Sequence, residues 1–146
     1  MLKNAIISNL FNLGITEYLI LFSLFAIIFI PLILCLATIK NILLKVSNQN
    51  RNIQPNSVWL VLIPIFGLVW QFKIVNNVSE SLNKEFSKRE IIINEKKPGY
   101  EIGIYYCIMT CCIFIPTIGR YAFWLSIILL LVFWRKMSRF NNMLSN

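Results

Sequence analysis

Apolar residues dominate four stretches of this chain, and each stretch predicts a helix inside a membrane. The stretches cover residues 18–39, 57–75, 102–119 and 121–134. The first and the third are long enough to cross a bilayer alone, because a helix needs about 20 apolar residues to span the hydrocarbon core. Arg120 separates the third stretch from the fourth, and Pro116 and Gly119 interrupt helical continuity. We therefore expect these two to form a tight helical hairpin.

The second stretch is ambiguous, because its continuous apolar run over 58–70 is short and contains Pro64 and Gly67. A run of this length also fits a re-entrant piece that enters the bilayer and returns. We expect it to cross, with Lys73 extending outward to the headgroups. A re-entrant loop must be buried in protein, and this chain offers few helices to bury it. Three spanning helices with a re-entrant segment remain the alternative.

Polar residues return over 76–90, and four apolar residues from position 75 onward keep a helical spacing. They are Val75, Val78, Leu82 and Phe86. The pairs Glu80–Lys84 and Glu85–Arg89 stand four residues apart with the glutamate first, which is the favourable order on a helix. The spacing predicts an amphipathic helix that continues from the second stretch into the cytoplasm.

These elements together predict an all-α integral membrane bundle. It is a single domain over residues 1–146, with four transmembrane helices and one amphipathic cytoplasmic extension. The composition agrees, because 58% of the residues are hydrophobic and only 14% are charged. Soluble domains average about 45–50% apolar and 25% charged residues. The polar surface is too small to cover a globule in water, so lipid must cover part of it.

Positive charge predicts the orientation. The chain carries 14 Lys and Arg against 6 Glu, for a net charge of +8. Four spans place ten of the basic residues on the side of both termini and four on the other, which predicts cytoplasmic termini. The re-entrant alternative moves the N-terminus outside and leaves only Lys3 and Arg120 there, which makes the division twelve against two. No basic face carries interleaved aromatics, so we do not expect nucleic-acid binding.

The chemistry of known enzyme sites is missing from the sequence. There is no His and no Asp, and the five glycines form no nucleotide-binding pattern. We therefore predict no catalytic residue, no cofactor and no metal, and no enzymatic activity. Four cysteines are present: Cys35, Cys107, Cys111 and Cys112. We interpret them as small packing residues, and a soft-metal or redox site is the alternative.

Arg120 and its neighbour Tyr121 are the candidate site residues, because a charge near membrane depth is a functional candidate by default. They are candidates for contact with an anionic lipid headgroup, and simple extension of Arg120 to the interface is the alternative. The motif Ile-Pro-x-x-Gly occurs at 63–67 and again at 115–119. Because the flanking sequences align poorly, we interpret the repetition as coincidence in an Ile-rich chain.

The sequence from about residue 51 to 137 resembles a group of small bacterial multi-pass membrane proteins. The resemblance rests on Arg51-x-x-x-Pro55, Val58-Trp59-x-x-Leu62-Ile63-Pro64-x-Phe66, Trp70-x-Phe72, Ser79-x-x-Leu82-x-x-Glu85-Phe86, Gly103-x-x-Tyr106-Cys107, Ile115-Pro116-x-x-Gly119 and Trp134-x-Lys136. Those proteins commonly have Asn where this chain has Gly67. The resemblance implies four helices and a place in the bacterial inner membrane, but it implies no activity and no site residue.

We therefore expect a multi-pass membrane component that binds a protein partner or lipid without catalysis. The charged segment 76–97 is the candidate partner surface, and the lipid bilayer is the other partner. A small oligomeric transporter or channel is the alternative function. A membrane enzyme acting on lipid is a further alternative, which the missing Asp and His disfavour.

Overall fold

The secondary structure of this protein is helical. The computed structural model describes residues 14–145, without the side chains of Leu24 and Ile28, and this part contains no strand. Lys3, which enters the charge count, lies outside it. The helices are α1 (Ile15–Lys45), a 3₁₀ helix (Pro55–Leu62), α2 (Phe66–Lys88), α3 (Tyr100–Cys112) and α4 (Gly119–Met143). The all-α prediction is confirmed. Within the described residues only α1 and α4 are long and apolar enough to cross a membrane, so the four-span bundle is not confirmed.

The chain divides into two compact units at residue 31, inside α1. The described part of the first unit is residues 14–30. The aromatic rings of Phe25 and Phe29 stack there with 3.8 Å between centroids. At the start of the helix, the Gly14 N–H donates to Glu17 Oε2 at 3.0 Å. Most of the large apolar side chains in this segment are exposed, which is typical of a helix that contacts lipid.

In the second unit, the stretch predicted as one span over 57–75 is folded as a hairpin. We call it the short hairpin. Its 3₁₀ helix packs against α2, and the chain before the 3₁₀ helix continues along the same α-helix. Three hydrogen-bonded pairs mark the antiparallel course: Ser57 with Trp70, Asn52 with Ser81, and Ser47 with Glu85. The two ends of the short hairpin therefore lie at the same level of the protein.

The tip of the short hairpin is a tight turn centred on Ile65. The Phe66 N–H donates to the Pro64 carbonyl at 2.7 Å, and Ile65 has φ of +65° and ψ of −58°. These values describe a γ-turn of the rare, strained kind, and a positive φ is unusual for a β-branched residue. The apolar run of 58–70 thus reverses direction in its middle, although its length alone also permits one buried helix.

The long hairpin consists of α3 and α4, which pack along one another, and α2 lies against α3. The helices pack closely at Gly103. A Cβ atom on this glycine would lie 2.6 Å from Val75 Cγ1 and 3.0 Å from Phe133. The predicted break between the two apolar stretches is present over residues 113–118, where the chain turns before α4 begins.

The two Ile-Pro-x-x-Gly motifs form the two hairpin tips, and their glycines make the same contacts, although Ile65 has a positive φ and its counterpart Thr117 does not. The Gly67 N–H donates to the Ile63 carbonyl at 2.7 Å, and the Gly119 N–H donates to the Ile115 carbonyl, also at 2.7 Å. Each glycine lies against the carbonyl of the residue six positions before it. The motif, whose repetition we interpret as coincidence, thus makes the same glycine contacts at a break between a 3₁₀ helix and an α-helix and at a break between two α-helices.

A single apolar core joins the elements of the second unit. The predicted face of α2 is confirmed, because Val75, Val78, Leu82 and Phe86 are all buried. The other elements contribute Cys35, Leu36, Ile39, Ile42, Leu43, Val58, Cys107, Leu130, Phe133, Met137 and Phe140. Trp134 Nε1 donates to Thr38 Oγ1 at 3.1 Å, which fixes the register of α4 against the C-terminal half of α1.

Candidate functional site

Most charges of the second unit lie where α1, α2 and α4 all end. We call this region the charged end; it comprises residues 45–52, 80–97 and 135–145. Arg120 lies at the opposite end of α4, about 22 Å from Arg135 along the helix. The second unit is therefore polar at one end and apolar toward its two hairpin tips.

A buried carboxylate organises the charged end. Glu85 is only 3% exposed. Its Oε2 accepts hydrogen bonds from the Ser47 N–H at 3.2 Å, from Ser47 Oγ at 2.9 Å and from Asn50 Nδ2 at 2.9 Å. Its Oε1 accepts from Arg89 Nε at 2.9 Å, so the predicted Glu85–Arg89 pair is confirmed. Burial raises the pKa of this carboxyl, but the hydrogen bonds from Asn50, Ser47 and Arg89 outweigh burial and lower the pKa from 4.5 to about 2.

Arg89 extends this contact to the ends of two other helices. Its terminal nitrogens donate to the Leu144 carbonyl at 3.1 Å and to the Lys45 carbonyl at 3.3 Å. Both carbonyls belong to helix C-termini, where backbone acceptors lack helical partners and favour a cation. The ion pair of Glu85 and Arg89 thus clamps α1, α2 and α4 together, and we call these two residues the clamp.

The segment 76–97, predicted as a partner surface, makes many contacts within the protein. In addition to the clamp, Asn52 accepts a hydrogen bond from Lys84 at 2.8 Å and donates one to Glu80 at 2.8 Å. The predicted Glu80–Lys84 pair is therefore replaced by two bonds to Asn52. Outer positions such as Lys88 stay exposed, so only the outer face of the segment is free to meet a partner.

The loop after α2 is also held in place. Glu95 pairs with Lys136 of α4 and accepts the Gly99 N–H at 3.1 Å. Burial raises the pKa of the Glu95 carboxyl, but the bonds from Lys136 and Gly99 outweigh burial and the pKa is lowered. Ile92, in the same loop, is 95% exposed at the charged end.

The candidate headgroup residues Arg120 and Tyr121 begin α4, directly after the second Ile-Pro-x-x-Gly motif. Both are exposed, Tyr121 to 75%. Neither side chain hydrogen-bonds within the described part of the chain, so both point to the surroundings. The structure does not bring them near the clamp.

The four cysteines are free thiols, and the fold separates them by burial. Cys35 and Cys107 are buried, Cys112 is half-buried and Cys111 is exposed. Within residues 14–145 no three His, Cys, Asp or Glu side chains are grouped so that they could hold a metal ion.

A groove between the short hairpin and α3 was not expected from the sequence. It has a volume of about 340 Å³ and is lined almost entirely by apolar atoms. Val61, Pro64 and Leu68 line one side, and Tyr106, Thr110 and Phe114 line the other. At one end lies Gln71, which is 5% exposed and whose Nε2 has no hydrogen-bond acceptor within residues 14–145. The sequence signal for this site is a lone amide inside the apolar stretch 57–75.

Comparisons of this chain with family models, with curated proteins and with solved structures found no match. The assignment of function therefore rests on the residues and their geometry.

Proposed function

We propose that this chain is an integral membrane protein that binds lipid and catalyses no reaction. The observation that carries this proposal is the division of the second unit into a charged end and an apolar remainder. Large apolar side chains outside the charged end are widely exposed, including Ile65 at 82%, Val69 at 73% and Phe114 at 71%. Exposed apolar surface on this scale is unfavourable in water, and lipid is the environment that favours it.

The proposed arrangement has three crossings and one re-entrant hairpin. α1 crosses once and α4 crosses once. α3 has only 13 residues, about 20 Å, and completes its crossing together with the turn over 113–118. The short hairpin enters from the charged end and returns. The distance along α2 from Lys73 to Phe66 is about 10 Å, which is about a third of the thickness of the hydrocarbon core. Twelve of the 14 Lys and Arg residues then lie on the side of the charged end, and the other two, Lys3 and Arg120, lie on the outer side. Because cytoplasmic loops carry an excess of Lys and Arg, we assign the charged end to the cytoplasm of a bacterial cell.

Arg120 and Tyr121 then lie near the outer headgroups. The stretch of α4 between Arg120 and Arg135 is about 22 Å long, which is shorter than the hydrocarbon core of about 30 Å. The arginine side chain extends outward to reach the interface, and a tyrosine beside it suits the same level. These two residues are therefore proposed as contacts with outer-leaflet headgroups.

Site-directed labelling tests this arrangement. Gln49→Cys and Asn94→Cys, both at exposed positions before and after the short hairpin, are expected to react with an impermeant maleimide only in inverted vesicles. Thr117→Cys, at the tip of the long hairpin, is expected to react only in intact spheroplasts. The background needs Ala in place of Cys111 and Cys112 alone, because Cys35 and Cys107 are buried. Labelling of positions 49 and 94 from opposite sides would contradict the re-entrant hairpin.

Lipid binding itself is tested on the purified chain. Protein extracted in a mild detergent is expected to retain at least one phospholipid per chain, detected by native mass spectrometry. The basic residues of the charged end favour anionic headgroups by about 1 kcal/mol each near the surface. Protein that emerges free of phospholipid from the mildest extraction would contradict the proposed function.

A protein partner at the charged end is the second candidate, and the exposure of Ile92 favours it. A large apolar residue that is 95% exposed in a loop beside Lys96 and Lys97 is a typical anchor for a partner surface. A photo-crosslinking amino acid at position 92 distinguishes the two candidates in cells. It gives lipid adducts if the loop meets headgroups, and a discrete band of higher mass if a protein is bound.

A further inference from the structure

The groove between the short hairpin and α3 combines an apolar wall with one unsatisfied amide. Gln71 Nε2 is buried and has no acceptor among the residues that the structure describes. Burying an amide without a hydrogen bond costs about 1–3 kcal/mol by mutational data, and more in pure hydrocarbon. Leucine at this position would avoid that cost, so the amide needs a partner that supplies an acceptor oxygen.

The surroundings of Gln71 indicate its depth in the bilayer. Trp70 Nε1 donates to the Ser57 carbonyl at 2.8 Å, and Lys73 Nζ lies 4.6 Å from the centre of the Trp70 ring. Tryptophan and lysine are typical of the region between headgroups and hydrocarbon. Gln71 lies between these two residues in sequence, so its amide is at the level where the ester carbonyls of phospholipids lie.

The groove continues from this level toward the hairpin tips. Its far end is formed by Ile63, Pro64 and Phe114, which are exposed apolar residues. The groove is thus polar at the headgroup side and apolar toward the middle of the bilayer. An acyl chain has the same order, because its ester carbonyl is at the interface and its methylenes extend inward.

We infer that this groove holds one acyl chain of a phospholipid from the cytoplasmic leaflet, and that the Gln71 side chain, which lines the groove, turns so that Nε2 donates a hydrogen bond to the ester carbonyl. The inference rests on the proposed membrane insertion and names the ligand of the proposed lipid binding. The volume of about 340 Å³ lies at the lower end of the range for ligand sites. The strained turn at Ile65 forms one edge of the groove, and backbone strain is often found at ligand clamps.

A pair of lipids and a pair of variants test this contact. The probes are dioleoyl phosphatidylglycerol and its diether analogue, which keeps the headgroup and the chains but lacks both carbonyl oxygens. Delipidated wild-type protein in detergent is expected to bind the ester lipid about three- to tenfold more tightly than the diether lipid, the range for one neutral hydrogen bond. Gln71→Leu is expected to bind both lipids with the same affinity.

The control variant is Gln54→Leu, which removes an exposed glutamine outside the groove and is expected to keep the wild-type preference. Gln71→Leu is also expected to raise the melting temperature of the delipidated protein, because the unsatisfied amide is gone. Leu68→Trp fills the groove and is expected to reduce binding of both lipids. Equal binding of ester and diether lipids by the wild type, or undiminished binding by Leu68→Trp, would overturn the inference.

The outcomes separate this site from the general proposal. Protein that retains no phospholipid at all contradicts the proposed function. Wild-type protein that retains phospholipid but shows no ester preference, or a Gln71→Leu variant that keeps the preference, leaves lipid binding standing and removes only the acyl-chain site. Oleic acid serves as a further competitor. If it displaces phosphatidylglycerol at equal concentration, the ligand is a free fatty acid and the phospholipid assignment is overturned.

Discussion

Gly67→Ala and Gly119→Ala are each expected to destabilise the protein by about 3 kcal/mol or more, the upper range for overpacking. A Cβ atom at Gly67 would lie 2.0 Å from the Val61 carbonyl oxygen, and one at Gly119 would lie 2.3 Å from the Ile113 carbonyl oxygen. These contacts are with backbone atoms, which cannot rotate away as a side chain does. Alanine in place of glycine ordinarily stabilises a helix by about 1 kcal/mol. The change in stability expected here is therefore opposite in sign to the usual effect of this substitution.

Thermal unfolding of the purified variants in detergent measures this effect. Gly14→Ala is the matched control, because the nearest atom to its Cβ would be Thr16 Oγ1 at 3.7 Å, an ordinary contact. Similar losses at Gly67 and Gly119 are expected, because each glycine lies against a backbone carbonyl six residues before it. A Gly67→Ala protein as stable as the wild type would show that the tip of the short hairpin is open enough to accept a side chain.

Glu85→Gln is expected to destabilise the protein by about 3 kcal/mol at pH 7, since hydrogen bonds to a charged group contribute about 1.5–3 kcal/mol each and do not add fully. The carboxylate accepts bonds from Ser47, Asn50 and Arg89. Glutamine keeps the shape but turns an amide NH₂ toward one of these donors. The guanidinium of Arg89 then loses its counterion, while it still holds the ends of α1 and α4.

The pH dependence of stability separates the charge of Glu85 from its shape. Its pKa falls from 4.5 to about 2 in the folded protein. A carboxyl whose pKa is lower in the folded protein than in the unfolded chain stabilises the fold at pH values above its unfolded pKa. This contribution is lost as the pH falls from about 5 toward 2. Wild-type melting temperature is therefore expected to fall over this range, and Glu85→Gln should show a much shallower fall. The lowered pKa of Glu95 leaves part of the slope in both proteins.

Glu90→Gln is the control for this experiment. Glu90 is exposed and is not part of the clamp, so its replacement is expected to change stability by less than about 0.5 kcal/mol. Equal pH profiles for wild type and Glu85→Gln would mean that the clamp does not depend on the ionised carboxylate.

The sequence predicted the faces of the helices better than it predicted which distant residues those faces contact. The spacing of Val78, Leu82 and Phe86 identified the buried face of α2, because a helical period places them on one side of any helix. The i,i+4 rule identified Glu85 with Arg89 for the same local reason. The rule was wrong for Glu80 and Lys84, since Asn52, 28 residues before Glu80, competes for both side chains.

The candidate site was harder to predict than the fold. Arg120 and Tyr121 were chosen because charge and aromaticity near membrane depth are visible in the sequence. Gln71 was not chosen, because the sequence does not show that its amide is buried without an acceptor beside a groove. That property depends on α3, whose Tyr106 and Thr110 come more than 30 residues later.

The sequence by itself determined that the chain is helical, that apolar surface exceeds what a globule in water can carry, and that positive charge is unevenly distributed. These properties follow from composition and short-range periodicity. Only the tertiary structure decided that the apolar run of 58–70 reverses at Ile65 and that the glycine of each Ile-Pro-x-x-Gly motif donates to the motif's first carbonyl at a hairpin tip. A run of that length fits a buried helix or a hairpin equally well. The choice comes from the pairing of residues 47–57 with α2, which is a contact between distant parts of the chain.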